Sequence, residues 1–418
     1  MRYTMIKQFI FFTGVILLLL PDTQAQNSTS SPLTILGIGE IETRDFGRTT
    51  GMGSVGIGLQ SENFLNRINP AGLSGVDTLR FILDVSAGLK ISNFLTAARE
   101  GKTVDFTFKS LAVGVRLSKR WTSSVGLAPF SNVGYQLSNS QEIPGTTEKT
   151  HTVFSGSGGI NSFYWANACE IFRGFSLGLT SSYIFGNCTH SEDGDIFTIK
   201  DSYQVNKLNF DFGAQYSHWF GEHTNIIVGG IYGYESKMPV EHRRLVTTGY
   251  SMELNQRKPD LKTYMPESYG VGFSFLRNKK ATEWILAADY KYQGWSVNNM
   301  RYKTLTYSDS HTYSVGLQIT PNNRFDASYI QSMRFHLGAC YNQSYLKVNG
   351  YQLEDYSLSL GVGLPIYNYR SRTLSYVNIA INAGESGTGQ RGGITERYVL
   401  FSVNMSLIER WFAKRRWD

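Results

Sequence analysis

The sequence predicts an all-β fold: a transmembrane antiparallel β-barrel of about 14 strands with an N-terminal plug, or hatch, in its lumen. Three observations predict it: apolar and polar residues alternate, strand-length segments repeat along the chain, and short connections alternate with long ones. The chain has 418 residues, a net charge of +7 and 14% aromatic residues. No segment after Gln26 contains the run of about 18 apolar residues that a membrane helix needs, so a helical membrane protein is excluded.

The N-terminus has the pattern of a secretory signal peptide. Arg2 and Lys7 precede an apolar run from Phe9 to Leu20, and a small-residue cleavage site ends at Ala25. A basic start, a short apolar core and small residues at the cleavage site are typical of export signals. We therefore expect residues 1–25 to be removed on export.

Residues 26–78 have a different composition, rich in Gly, Ser and Asn. The glycine run from Gly51 to Gly58 is not followed by Lys-Ser or Lys-Thr and lies in no βαβ unit, which argues against a nucleotide site. Closely spaced glycines instead let the backbone pack tightly or turn sharply. Asn69 and Pro70 favour a turn in the same segment. We expect residues 26–78 to form a plug inside a barrel made by residues 79–418.

The first barrel strand shows the alternation most clearly. Apolar residues occupy every second position from Leu79 to Ile91, with charged and small residues between them. A transmembrane strand needs about 9–11 residues that face lipid and lumen in turn. The same pattern predicts fourteen strands at residues 79–91, 108–117, 121–131, 160–171, 175–186, 207–218, 224–234, 268–276, 283–294, 311–320, 332–341, 355–364, 373–383 and 396–408.

The connections favour a barrel over a soluble sandwich. Links such as 118–120 and 172–174 are short, whereas those at 132–159, 187–206 and 235–267 are long and polar. Outer-membrane barrels have short periplasmic turns and long extracellular loops, while a sandwich has no reason to alternate them. The predicted location is the outer membrane, with lipid around the barrel.

The third predicted strand contains a candidate break. Pro129 cannot donate a hydrogen bond to a neighbouring strand, and Phe130 and Gly134 lie in the same stretch. One interpretation is a gap in the barrel wall that opens sideways. The other is a harmless bulge near the rim.

No pattern for catalysis, metal binding or a cofactor is present. The chain has neither a His-Glu-x-x-His motif nor a Gly-x-Ser-x-Gly elbow, so we predict no enzyme activity. Lys and Arg are scattered rather than clustered, which argues against nucleic acid as a partner. Charges of both signs inside a barrel usually pair across strands and hold a plug. The predicted lumen-facing charges are Arg80, Asp84, Arg116, Asp211, Asp289 and Lys291.

Taken with Asn69-Pro70-Ala71, these features resemble the FadL-like family of outer-membrane transport proteins, in the variant common in Bacteroidota-type bacteria. The resemblance implies that Asn69, Pro70 and Ala71 lie in a hatch that plugs the barrel. It also implies that a kink in the third strand, here at Pro129, opens a lateral exit for a hydrophobic substrate.

Two functions remain open at this stage. The first is passive transport of a small hydrophobic molecule through a hatch-gated lateral opening. The second is a non-transporting role, in which the barrel is a docking subunit of an outer-membrane machine for protein assembly, secretion or nutrient uptake. Its partners would be other outer-membrane proteins or lipoproteins, and the polar 235–267 segment is the candidate contact surface.

Overall fold

The computed structural model describes residues 31–410 apart from 43–46, 96–99, 143–144, 146, 148, 250–251, 280, 299–300, 303–304, 323–326, 369–372 and 389–392. The predicted signal peptide lies outside these residues. Short 3-10 helices span Pro32–Ile35, Arg48–Met52, Pro70–Gly75 and Trp295–Val297. The strands are β1 (Glu40–Ile41), β2 (Arg80–Leu95), β3 (Glu100–Arg116), β4 (Trp121–Glu142), β5 (Lys149–Phe172), β6 (Phe175–Gly194), β7 (Phe197–Phe220), β8 (Thr224–Gly233), β9 (Ser236–Thr248), β10 (Met252–Met265), β11 (Ser268–Lys279), β12 (Thr282–Gln293), β13 (Arg301–Tyr302), β14 (Leu305–Tyr307), β15 (Ser310–Thr320), β16 (Arg334–Val348), β17 (Tyr351–Asn368), β18 (Thr373–Gly387) and β19 (Thr395–Arg410).

Fourteen of these strands form a closed antiparallel barrel, which confirms the predicted fold class. The wall runs from β2 to β8, through β11 and β12, and from β15 to β19. The last strand pairs with the first, with Thr395 opposite Leu95 and Arg410 opposite Arg80, so the sheet has no end. This closure removes the two free edge strands that an open sheet would expose to lipid.

Side chains alternate between the two faces of the wall as the sequence pattern predicts. Along β2, Ile82 and Asp84 are buried, whereas Leu83 between them is only partly buried. Large apolar side chains cover the outer face, and aromatic ones gather at the end with the short turns. Such a girdle marks the membrane interface; it includes Trp121, Phe172, Phe220 and Trp284.

The N-terminal segment, residues 31–78, packs against the inner side of this wall. Its second 3-10 helix contacts β15 to β18, and the third contacts β4 to β7. Two wall glycines allow this close approach. A Cβ atom at Gly338 would overlap the backbone at Gly53, and one at Gly178 would overlap the backbone at Ala71. None of the helices in the described part of the chain is long and apolar enough to span a membrane.

The prediction of long polar loops is wrong in three places. Residues 132–142 continue β4, residues 149–159 begin β5, and β6 and β7 fill most of 187–206. The 235–267 segment is the β9–β10 hairpin, whose first strand pairs with β7, with Val205 opposite Val240. These strands extend the sheet beyond the bilayer. Water bathes their outer face, so they lack the apolar alternation that reveals a membrane strand.

Candidate functional site

The barrel wall splits between β3 and β4. These strands pair only from Arg116 opposite Thr122 to Leu111 opposite Leu127. Farther from the short turns, β3 pairs with β2 alone, and no pairing with β4 is present. The two strands therefore form the lips of a lateral break, which begins next to Pro129.

Irregularities in both strands explain where the wall splits. Pro129 has no N–H to donate, and the register of β4 against β5 shifts between Pro129 and Ser131. On the other lip, Ser86 faces Ser110 while Ala87 faces Phe108, which leaves Lys109 as an extra residue in β3. A bulge bends its strand and increases the local twist. Two bulges at the same height turn the strands away from each other.

The N-terminal segment bonds to the β4 lip. Strand β1 pairs with β4, with Ile41 opposite Ser131. The backbone N–H of Glu42 donates to the carbonyl of Phe130 at 2.9 Å, and that of Ser31 donates to the carbonyl of Gly134 at 2.8 Å. Backbone groups that the break leaves without a β3 partner are therefore satisfied by the chain's own N-terminal segment.

A side-chain ion pair connects the same segment to the opposite lip. The Nζ of Lys109 lies 3.1 Å from Oε2 of Glu42, and both side chains are largely buried. The N-terminal segment thus contacts both sides of the break, by backbone bonds on β4 and by this ion pair on β3.

The Asn69-Pro70-Ala71 motif joins the segment to the wall at β4 to β7, on the β4 side of the break. Asn69 is fully buried, and its Oδ1 accepts a hydrogen bond from the N–H of Ala71 at 3.1 Å, which caps the third 3-10 helix. Its Nδ2 donates to the carbonyls of Ile57 at 2.8 Å and Ala214 at 3.2 Å. One side chain therefore caps a helix, links two parts of the segment and contacts β7.

Three of the predicted lumen-facing charges contact the N-terminal segment. Arg80 lies 2.9 Å from the carboxylate of Asp77, and Arg116 donates to the carbonyl of Val76 at 2.7 Å. Asp289 accepts bonds from two backbone N–H groups in the glycine run, at 2.6 and 2.8 Å. These contacts hold the segment at several points around the wall.

The other three charges lie elsewhere in the lumen. Asp84 accepts hydrogen bonds from Asn404 Nδ2 at 2.6 Å and Ser406 Oγ at 2.7 Å, both on β19. Asp211 and Lys291 line a cavity of about 240 Å³ beside Pro129. These three do not form one cluster with the first three.

The cavities near the break are small, and polar and apolar groups line them about equally. Besides the 240 Å³ cavity, a space of about 130 Å³ lies next to Glu40, Lys90, Lys109 and Glu396. Lys90 and Glu396 form an ion pair at 2.6 Å. Pockets for small organic ligands are usually about 300–1,000 Å³ and mostly apolar. Neither cavity reaches that size.

The N-terminal segment fills the apolar part of the lumen. Leu33, Leu36 and Ile41 are buried in one cluster with aromatic and aliphatic residues of the wall and of the 295–307 segment. Ile38 is buried in a second cluster formed by β4 to β9. These side chains of the N-terminal segment therefore occupy apolar space in the lumen close to the break.

Glu40, Glu42 and Lys109 were not among the residues predicted from the sequence. The glutamates lie in a segment without periodicity, so no pattern marked them. Lys109 could have been recognised from the sequence, because the apolar residues switch from even to odd positions between Phe108 and Leu111. Burial raises the pKa of Glu40 to about 7, since desolvation outweighs the opposing effect of Lys90.

No group of three or more His, Cys, Asp and Glu side chains in the described residues could hold a metal ion. The sequence model of the BamG family matches residues 5–418, almost the whole chain. No curated protein sequence matches.

Solved structures share the fold. The Pseudomonas putida toluene transporter TodX superposes with a TM-score of 0.57 at 13% identity, covering 89% of this chain and all of TodX. The Ralstonia pickettii toluene transporter TbuX gives 0.56 at 13% identity, with 88% and 99% covered. A Pseudomonas aeruginosa FadL homologue gives 0.56 at 11% identity, with 89% and 99% covered. The predicted FadL-like architecture and outer-membrane location are confirmed.

Proposed function

The chain belongs to the BamG family, and we propose that it serves in the outer membrane as a sealed docking subunit of a multi-protein machine. The observation that carries the proposal is the position of the N-terminal segment, which contacts both lips of the wall break and packs apolar side chains into the lumen beside it. A barrel closed in this way presents surfaces to partners without conducting a substrate.

The number of contacts supports a segment that stays in place. A hatch movement would break the backbone bonds to Phe130 and Gly134 and leave buried carbonyls unpaired. Each unsatisfied buried group costs about 1–3 kcal/mol. The movement would also expose Leu33, Leu36 and Ile41. Exposing a fully buried apolar side chain costs about 1.5–3 kcal/mol of free energy.

The barrel offers a tall outer surface for partners. Strands β5 and β7 have 24 residues each, about twice what a membrane crossing needs. The β9–β10 hairpin extends this wall and exposes charged side chains such as Arg243, Arg257 and Asp260. A rigid, polar surface of this kind fits contact with other outer-membrane proteins or lipoproteins better than capture of an apolar molecule.

Transport of a hydrophobic molecule is the second candidate, and the wall break favours it. TodX and TbuX share the fold and are toluene transporters. A hatch-gated exit at Pro129 would require the N-terminal segment to leave the break. The Pro129→Val variant restores a residue that can donate a backbone bond, so it should reduce uptake of a hydrophobic probe if the break is an exit.

Purification from mild detergent tests the docking role. A tagged full-length protein should bring down outer-membrane proteins or lipoproteins in a fixed stoichiometry, and cells lacking the chain should take up hydrophobic probes normally. The control is a tagged, unrelated barrel purified in parallel. An isolated barrel that carries bound lipid, together with uptake that is lost on deletion and reduced by Pro129→Val, would contradict the docking role and support transport.

A further inference from the structure

A third cavity, of about 1,040 Å³, lies at the short-turn end of the barrel. It is bordered by the ends of several wall strands and by the N-terminal segment. Short turns face the periplasm in outer-membrane barrels, so this cavity opens toward the periplasm. Arg48 from the segment and Arg334 from β16 both line it.

Arg48 is buried, yet its hydrogen-bond partners among the described residues are all neutral acceptors. Its Nε and Nη2 donate to Oε1 of Gln318 at 3.0 and 2.5 Å, and its Nη1 donates to Oγ of Ser61 at 2.8 Å. Only 7% of the residue is exposed. Burial and the nearby charge of Arg334 lower the pKa of Arg48 to about 9.

Arg334 has fewer partners still. Its guanidinium lies 3.6 Å above the ring of Tyr376, and only 9% of the residue is exposed. Two of its nitrogens, Nε and Nη1, are buried with no hydrogen-bond partner. Buried polar groups in proteins nearly always have partners, and an unpaired buried charge is costly.

Within the described ranges, neither arginine has an ion pair with a carboxylate. Glu283 is the acidic residue whose charge acts on Arg48, and its Oε1 accepts a bond from Gln318 at 3.3 Å. Arg80, which lines the same cavity, is different because it is paired with Asp77 at 2.9 Å. Neither of these two neighbouring arginines therefore has the direct ion pair that Arg80 has.

We propose that Arg48 and Arg334 form a binding site for an oxyanion, a carboxylate or phosphate group on a molecule that enters from the periplasm. The planar guanidinium presents donors that match both groups. An oxyanion between the two arginines bonds to the part of each guanidinium that borders the cavity, and it balances both charges. The remaining volume holds the rest of the molecule against aromatic side chains such as Trp219 and Tyr367.

The site is tested by ligand-dependent stability of the purified, folded barrel. Inorganic phosphate is titrated against chloride at matched ionic strength, and the unfolding temperature is followed, since a ligand that binds the folded state raises it saturably. We expect saturable stabilisation of the unchanged protein. Arg334→Gln removes no hydrogen bond between described residues of the protein. It should weaken the apparent affinity for phosphate at least tenfold. Arg334→Lys should have an affinity between those of the unchanged protein and Arg334→Gln. Arg277→Gln, at an exposed arginine of the same barrel end, should match the unchanged protein.

A second titration identifies the kind of oxyanion. A short glycine peptide is used with a free and with an amidated C-terminus. Tighter binding of the free form than of phosphate indicates a carboxylate ligand, and the reverse order indicates a phosphate group. Equal responses of Arg334→Gln and the unchanged protein, or no saturable response to either probe, would overturn the proposal. Migration on a gel before and after heating confirms that each variant is folded.

Discussion

Asn69 offers a sharp test of how firmly the N-terminal segment is held. Its Oδ1 caps a 3-10 helix by accepting a hydrogen bond from the N–H of Ala71. Its Nδ2 donates hydrogen bonds to the carbonyls of Ile57, Ala214 and Gly230. Replacement by Ala removes both functions. Replacement by Asp keeps an oxygen for the cap but turns a carboxylate toward the carbonyls.

The expected magnitudes follow from these contacts. Loss of a helix cap costs about 1 kcal/mol, and a buried carbonyl left without its donor costs about 1–3 kcal/mol. Asn69→Ala should therefore destabilise the folded barrel by about 2–4 kcal/mol. Asn69→Asp should cost at least as much despite the intact cap, because a buried carboxylate facing carbonyl oxygens is repelled and poorly solvated.

Equilibrium unfolding in urea with lipid or detergent present measures both variants. Asn187→Ala, at an exposed asparagine of β6, is the matched control and should change the unfolding free energy by less than about 0.5 kcal/mol. If Asn69→Ala behaves like this control, the segment is not held by the motif. If Asn69→Asp is markedly more stable than Asn69→Ala, the cap rather than the wall contact is the main contribution.

Three further substitutions test the register and the interior charges. Leu83→Arg places a charge on the lipid face and should cost about 2–4 kcal/mol, whereas Asp84→Asn should cost less; equal losses in urea unfolding would contradict the assigned register. The pKa of Glu40 is raised from its ordinary value of 4.5 to about 7, so the folded protein binds more protons than the unfolded chain between those pH values. Its stability should therefore fall as pH rises from about 4.5 to 7 and then level off. Glu40→Gln should remove this part of the pH dependence, and an unchanged slope in that variant would assign the titration to another group.

The sequence was sufficient for the membrane-spanning part of the fold. All fourteen wall strands coincide with predicted segments because lipid and lumen impose a strict two-residue period. The extensions of β4 to β7 and the β9–β10 hairpin were missed because they lie outside the bilayer. There, polar residues are acceptable on the outer face, and strand and loop have similar compositions.

The candidate site was only partly predictable. Pro129 was found because proline cannot take part in a regular ladder, and Lys109 could have been found from the change of phase after Phe108. The contacts of Glu42 and Arg48 depend on how an aperiodic segment folds across the lumen. Arg334 begins a strand and looks like an ordinary interfacial residue, so its missing partners became evident only in three dimensions.

A reversible covalent lock tests most directly whether the N-terminal segment stays in place during function. Ile41 and Ser131 face each other in the β1–β4 pair, at the Cα separation of about 4.5–5.5 Å that suits a disulfide. An Ile41→Cys/Ser131→Cys variant should form the bond and, when oxidised, support cells lacking the native chain and bind the same partners. The single variants and reduced samples are the controls. A locked protein that loses its cellular role and regains it on reduction would show that the segment must move, and would contradict a sealed docking subunit.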